Sequence, residues 1–75
     1  MTFSRDKVYR LLEKYNCKKF GEHNNNEIYL TRDKLMIRLP LTGNIPFGLV
    51  EIIALDILNM GTWDWDLYLG ESGIT

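Results

Sequence analysis

The sequence predicts an α+β domain of α-β-β-β-α order, a three-stranded antiparallel sheet packed on two helices. Three observations carry that prediction. Ser4 to Tyr15 has apolar residues at helical spacing, Glu27 to Leu39 alternates at period two on either side of a polar turn, and Pro46 to Met60 is the most apolar run in the chain. With 75 residues, 45% of them hydrophobic and 25% charged, one folded domain over 1–75 is expected. Its core lies in 3–60, followed by an extension over 61–70 and a loose tail over 71–75.

The first helix starts within Phe3-Ser-Arg-Asp-Lys-Val8, where Ser4 is the N-cap and Phe3 and Val8 take the positions of a hydrophobic staple. Val8, Leu11, Leu12 and Tyr15 form one stripe, and Asn16 ends the helix. Cys17-Lys-Lys-Phe20 reads as a short strand closed by Gly21, and the asparagine-rich stretch from Glu22 to Asn26 as a turn or loop. Glu27 to Thr31 and Leu35 to Leu39 then make a hairpin around Arg32-Asp33-Lys34. Ile28 and Leu30 are expected on one face with Leu35, Ile37 and Leu39, packed on the last helix. Tyr29, Met36 and Arg38 go to the other face. Pro40 stops the ladder because it has no N–H to donate, and Pro46 sits in the first turn of the next helix.

Within that helix Val50, Ile53, Ala54 and Ile57 fall together as the inner face, flanked by Phe47, Leu58 and Leu49. Ile52 and Leu55 lie on the outer arc among Glu51, Asp56 and Asn59, so a second surface must meet them. The run from Trp63 to Leu69, Trp-Asp-Trp-Asp-Leu-Tyr-Leu, alternates strictly. It fits a fourth strand with Trp63, Trp65, Leu67 and Leu69 on one side, or a short helical turn capped by Thr62. In either form Trp63 and Trp65 are the cover the chain itself offers for Ile52 and Leu55. Left uncovered, that face is a contact surface for a protein partner or for a second copy, as a homodimer through the last helix.

Charge is segregated along the chain. All nine Lys and Arg residues precede Pro40 and meet five acids there, a net +4. The remaining five acids, Glu51, Asp56, Asp64, Asp66 and Glu71, follow it with no basic residue. Such a split implies two partners of opposite charge, or a C-terminal segment that folds back over a basic face. The single Cys17 permits neither an internal disulfide nor a cysteine zinc cluster, and neither a membrane-spanning run nor an export signal is visible. The expectation is a cytoplasmic protein with no cofactor, no metal and no membrane partner.

The order of helix, strand, hairpin and helix, with Pro40 closing the third strand and a loop entering the last helix, resembles the HicA family of small toxins over roughly Ser4 to Asn59. The resemblance implies a double-stranded-RNA-binding-domain-like fold, mRNA cleavage by a catalytic histidine, and inhibition by a HicB-type antitoxin. Family members carry Gly-Ser-x-His running into the second strand. Counting back from Pro40 puts Asn24-Asn25-Asn26-Glu27 in that place, with Glu27 at the histidine position. A gapped match uses Gly21-Glu22-His23-Asn24 and brings His23 close to the catalytic place instead. The Trp-Asp segment has no counterpart in the family pattern, and this chain is slightly acidic where the family is usually basic.

Candidate chemistry follows from these residues. His23, the only imidazole, can act as a general acid or base toward a ribose 2′-hydroxyl, or be a plain loop histidine. Glu27 can replace it as a base, although a carboxylate repels phosphate; the alternative is an exposed residue at a strand start. Lys18, Lys19, Arg32, Lys34 and Arg38 can contact RNA phosphates, or be scattered solubilising charge. Asp64 and Asp66 beside Trp63 and Trp65 suit a basic partner, or are the solvated backs of core tryptophans. Three functions are consistent with this set: a HicA-like module that binds protein or RNA without catalysis, an active mRNA-cleaving toxin using His23, and an acidic inhibitor of a basic nucleic-acid enzyme from a mobile element.

Overall fold

In the computed structural model, which describes residues 1–73, the chain runs β1 (Thr2–Phe3), α1 (Arg5–Lys14), β2 (Lys18–His23), β3 (Asn26–Leu30), β4 (Met36–Pro40), β5 (Ile45–Pro46), α2 (Phe47–Ile52) continuing into a wider turn over Ile53–Ile57, and α3 (Thr62–Glu71). Strands β2, β3 and β4 form an antiparallel sheet in that order, with the helices on one of its faces. The α+β class and the α-β-β-β-α order are as expected. Two features are additional: a two-residue ladder in which Phe3 pairs with Ile45, and a full third helix.

Helix α1 is delimited by its sequence. The Ser4 hydroxyl accepts from the Lys7 backbone N–H at 3.4 Å, and the staple residues Phe3 and Val8 are both buried. At the other end Asn16 takes the left-handed conformation (φ 60°), so that its N–H reaches the Glu13 carbonyl at 3.0 Å and the Cys17 N–H reaches that of Leu12 at 2.8 Å. That is a Schellman closure, and its apolar contact pairs buried Cys17 with buried Leu12. The helix that was expected to run unbroken from Pro46 to Met60 is shorter. Pro46 precedes its first turn instead of lying in it, and the spiral widens after Ile52 until Leu58 N–H donates to Ile53, five residues back. Asn59 at φ 55° then closes it, with the Met60 N–H bonded to Ala54 at 2.9 Å. The predicted inner face survives: Val50, Ile53 and Ala54 are fully buried, with Ile57, Phe47, Leu49 and Leu58 packed against the core.

Two local readings are corrected. Strand β2 extends through Gly21 to His23, and the loop shrinks to Asn24-Asn25, both left-handed (φ 51° and 63°), the signature of a two-residue hairpin turn. The second correction concerns faces. Thr31 N–H donates to the Leu35 carbonyl across a three-residue loop in which Lys34 is left-handed (φ 68°). A loop of odd length pairs odd positions with odd and even with even, so Tyr29 faces Ile37 and Glu27 faces Leu39. The inner face is therefore Glu27, Tyr29, Ile37 and Leu39, while Ile28, Leu30, Met36 and Arg38 belong by register to the other face, where Ile28 is nonetheless buried, and Leu35 is exposed.

The Trp-Asp segment is helical, with Gly61 before its first turn, and this separates the tryptophans, because residues two apart on a helix lie about 200° apart. Trp65 is 6% exposed and packs in an aromatic cluster, stacked on Tyr68 and tilted against Phe3 and Phe47, at centroid distances of 5.9–6.4 Å. Trp63 is 76% exposed, and Ile52 remains half exposed, so the two tryptophans do not jointly cover the outer face of α2. Of the expected loose tail, Glu71 closes α3 and the Ser72 carbonyl accepts from Lys7 Nζ at 2.8 Å, while residues 74 and 75 lie outside the described residues. In urea denaturation, Trp65→Ala is expected to lose about 3–5 kcal/mol and Trp63→Ala no more than about 0.5 kcal/mol. Equal losses at the two positions are incompatible with this helix.

Candidate functional site

The outer face of the sheet is uncovered by any helix, and its chemistry is set by one irregularity in β2. Lys19 pairs with Tyr29 and Gly21 with Ile28, which leaves Phe20 as an extra residue in a bulge. Phe20 is 75% exposed and stands between two grooves. One is lined by Lys18, Lys19, Arg32 and Lys34 with Leu30 and Thr31, and no acid is among these lining residues, although the Lys19 ammonium is paired with Glu22 and Glu27. The other is lined by His23, Arg38, Met36, Ile28 and Glu22. Thr31 holds the turn that presents Arg32 and Lys34: its carbonyl accepts from the Lys34 N–H and its hydroxyl from the Leu35 N–H, each at 3.0 Å. The five cations expected from the sequence to contact phosphate thus fall on either side of one exposed aromatic ring.

The inner face carries the strongest polar cluster of the fold. Glu27 is buried there, and is not the exposed strand-start residue considered above. Its Oε1 accepts from Tyr9 Oη at 2.6 Å and from the Arg5 guanidinium, and its Oε2 pairs with Lys19 Nζ at 3.2 Å. Arg5 in turn donates to Tyr9 Oη and to the carbonyls of Pro40 (2.6 Å) and Gly43 (3.1 Å), which fixes the end of β4 against α1. Burial pushes the Glu27 carboxyl up, but the hydrogen bonds from Tyr9 and Lys19 and the charge of Arg5 outweigh it and hold it below the ordinary carboxylate value. The Lys19 ammonium is held above its ordinary value by its hydrogen bonds to Glu27 and Glu22. Burial, with the neighbouring Glu27 charge, pushes the Tyr29 phenol up to about 12.

This geometry separates the two candidate catalytic residues. Glu27 lies on the helix side of the sheet with both oxygens engaged, whereas His23 lines the outer groove. They cannot act on the same substrate group. Among the described residues no ion pair orients the His23 ring. Sequence reasoning missed Arg5 and Tyr9 as a unit, although their i, i+4 spacing on one helix was the available sign. It also missed Phe20, for which the glycine after a short strand was the hint of a bulge.

The acidic C-terminal part forms the opposite pole. Helix α3 lies along α1, with Tyr68 Oη donating to the Lys7 carbonyl at 3.2 Å, and Asp64 and Glu71 share a groove with Lys7, Arg10 and Lys14. The folding back of an acidic segment over a basic face therefore occurs, and it offsets the cations of α1; in the sheet groove Lys19 is paired with Glu22 and Glu27, while Lys18, Arg32 and Lys34 form no ion pair among the described residues. Of the expected partner-binding set, Ile52, Trp63, Asp64 and Asp66 are exposed and Leu55 is half-buried; Trp65 is core and offers no contact surface. Among the described residues no helix is long and apolar enough to cross a membrane. The chain matches no protein-family model, no curated protein and no solved structure.

Glu27→Gln is expected to lower stability by about 2–4 kcal/mol at neutral pH, because it leaves the largely covered Arg5 guanidinium without its charge partner. The carboxyl is depressed relative to its unfolded value of 4.5, so its contribution is complete above that pH and is lost as the pH falls toward the folded value. Acidification through this window should shift the wild-type urea midpoint more than that of Glu27→Gln. Parallel pH profiles of the two proteins would contradict the ion-pair assignment.

Proposed function

We propose that this chain is a HicA-like interaction module that binds single-stranded RNA on the outer face of its sheet, without cutting it. The observation that carries this reading is Phe20, an exposed ring held by a bulge between a groove with Lys18, Arg32, Lys34 and the ion-paired Lys19 and a second groove holding Arg38 and His23 with Glu22. Single strands are bound by this combination: bases stack on an aromatic ring and the backbone follows neighbouring positive charge. The overall charge of −1 is no obstacle, since the C-terminal acids lie on α2 and α3, away from the groove of Lys18, Arg32 and Lys34. The helix, three antiparallel strands and helix support the HicA-like part. Binding is favoured over cleavage because the position that corresponds to the family histidine is Glu27, locked in the inner cluster.

The test is fluorescence anisotropy of a labelled single-stranded RNA with purified protein. Phe20→Ala should weaken binding by roughly 5- to 150-fold, the ~1–3 kcal/mol of one stacked base. Lys34→Gln should weaken binding to all sequences alike and flatten the dependence of log K on log salt by about 0.7. An RNA that stays intact during the titration fits the binding module. If it is cut, and His23→Ala abolishes the cutting, the protein is an active mRNA-cleaving toxin instead. Absence of salt-dependent RNA binding would remove the RNA reading altogether.

A further inference from the structure

We infer, on the footing of the RNA reading above, that the notch beside Gly21 on the outer face of the sheet holds one unstacked base, and that Arg38 makes that base guanine. In register, Gly21, Ile28 and Arg38 form one row across β2, β3 and β4. The row carries side chains at its middle and at its β4 end, and none at its β2 end. A Cβ at Gly21 would meet no atom within 4 Å, and the residue does not take the left-handed conformation. Neither the backbone angle nor a close neighbour therefore demands glycine here; what the missing side chain provides is open space for something to approach the strand. Ile28, 5% exposed, is the floor of that space, with Phe20 and His23 beside it on β2 and Met36 and Arg38 on β4. The notch measures about 390 Å³. That is near the small end of ligand sites, which begin at about 300 Å³, and suits a single base better than a length of strand.

The chemistry of the notch favours one base. Its Ile28 floor and Met36 wall are apolar and suit the flat face of a base, not a phosphate. Arg38 supplies the polar rim. Its Nε donates to Met36 Sδ at 3.4 Å, and its two Nη groups meet no acceptor among the described residues. Glu22, the one acid bordering the notch, is paired in register with inner-face Glu27 and gives its carboxylate to Lys19 at 3.3 Å, so it does not occupy the guanidinium. A guanidinium in this state is a planar fork of donors that matches two adjacent acceptors. Guanine sets O6 and N7 side by side, whereas adenine places its N6 amino donor next to N7. Uracil has an N–H between its two carbonyls and offers no such pair. Cytosine offers one only at N3 and O2, next to its ribose, and its single ring covers less of the floor. Bases splayed out of a single strand expose these edges to side chains.

Fluorescence anisotropy of the full chain with four oligouridine strands, differing only in whether the central base is guanine, adenine, cytosine or uracil, tests the slot. The guanine strand should bind roughly 5- to 150-fold more tightly than the adenine strand, the discrimination that one bidentate arginine contact provides. Arg38→Lys keeps the charge and loses the fork. It should abolish the guanine preference while leaving the affinity for the all-uridine strand, and its salt dependence, as in the wild type. Gly21→Val fills the notch and should likewise abolish the preference, with the circular dichroism spectrum of the wild type. Equal binding of all four strands overturns the slot and leaves the RNA site standing. A preference for another base, or a guanine preference that survives Arg38→Lys, also overturns it. Binding to none of the strands removes the RNA reading and the slot together.

Discussion

The Glu27 carboxylate is the constraint on which the arrangement of helix and sheet depends. It occupies a position on the inner face, opposite Leu39, where every other requirement of the core calls for an apolar side chain. Its burial is tolerable only because α1 brings Arg5 and Tyr9 to one oxygen while β2 brings Lys19 to the other. The same Arg5 guanidinium satisfies carbonyls at Pro40 and Gly43, so one charged cluster fixes three things: the orientation of α1 on the sheet, the end of β4, and the path of the loop that leads to α2. An apolar core is non-directional and admits small slips of a helix along a sheet. A carboxylate with two anchored oxygens does not. In so small a domain, where the hydrophobic term is barely sufficient, that directional contribution sets the geometry more than it adds to stability.

The second element of closure is aromatic. Phe3, from a two-residue strand at the very start of the described chain, stacks between Phe47 and Tyr68 at 5.7 and 5.5 Å, and Trp65 completes the group. These four residues come from β1, α2 and α3, so the cluster ties both ends of the chain to the middle. It also explains the widened turn after Ile52. By lengthening the spiral to five-residue spacing, the chain can bring Met60 back over Ala54 and start α3 at the angle that sends Trp65 into the cluster. The consequence on the far side is that Trp63 emerges bare.

Features governed by neighbours in sequence were legible. Ser4 as N-cap, the Phe3 and Val8 staple, Asn16 as the helix stop and the turn at Arg32-Asp33-Lys34 each depend on contacts within a few residues, and sequence alone carries those. The features that escaped depend on parity or on partners distant in the chain. The assignment of Ile28 and Leu30 to the helix-packed face looked natural by hydrophobicity, yet a three-residue loop sets the pairing so that Glu27 and Tyr29 take the inner places, and Ile28 is buried on the other face. Strict alternation from Trp63 to Leu69 is equally compatible with a strand, and only packing against Phe3 and Phe47 selects the helix. For the candidate site, the cations were visible as residue types, but their convergence on Phe20 was not, because a bulge is a property of two strands in register.

Segregated charge acquires a spatial meaning from these packing choices. Along the chain it looked like a basic half followed by an acidic one. In the fold the two halves interleave at α1 and α3, where Asp64 and Glu71 share a groove with Lys7, Arg10 and Lys14, and Lys18, Arg32 and Lys34 are left together at the sheet groove. Lys18, Arg32 and Lys34 beside an exposed aromatic ring are the combination on which the proposed binding of an anionic, stackable ligand rests. The position of Glu27 sharpens this: had it projected from the outer face, its charge would have weakened the groove at its centre. Turned inward and neutralised by Arg5 and Lys19, it supports the strand from behind and leaves the outer face to His23, Arg38 and the lysines. The residue that looked like a replacement for a catalytic group is thus better understood as the reason the opposite face can remain basic.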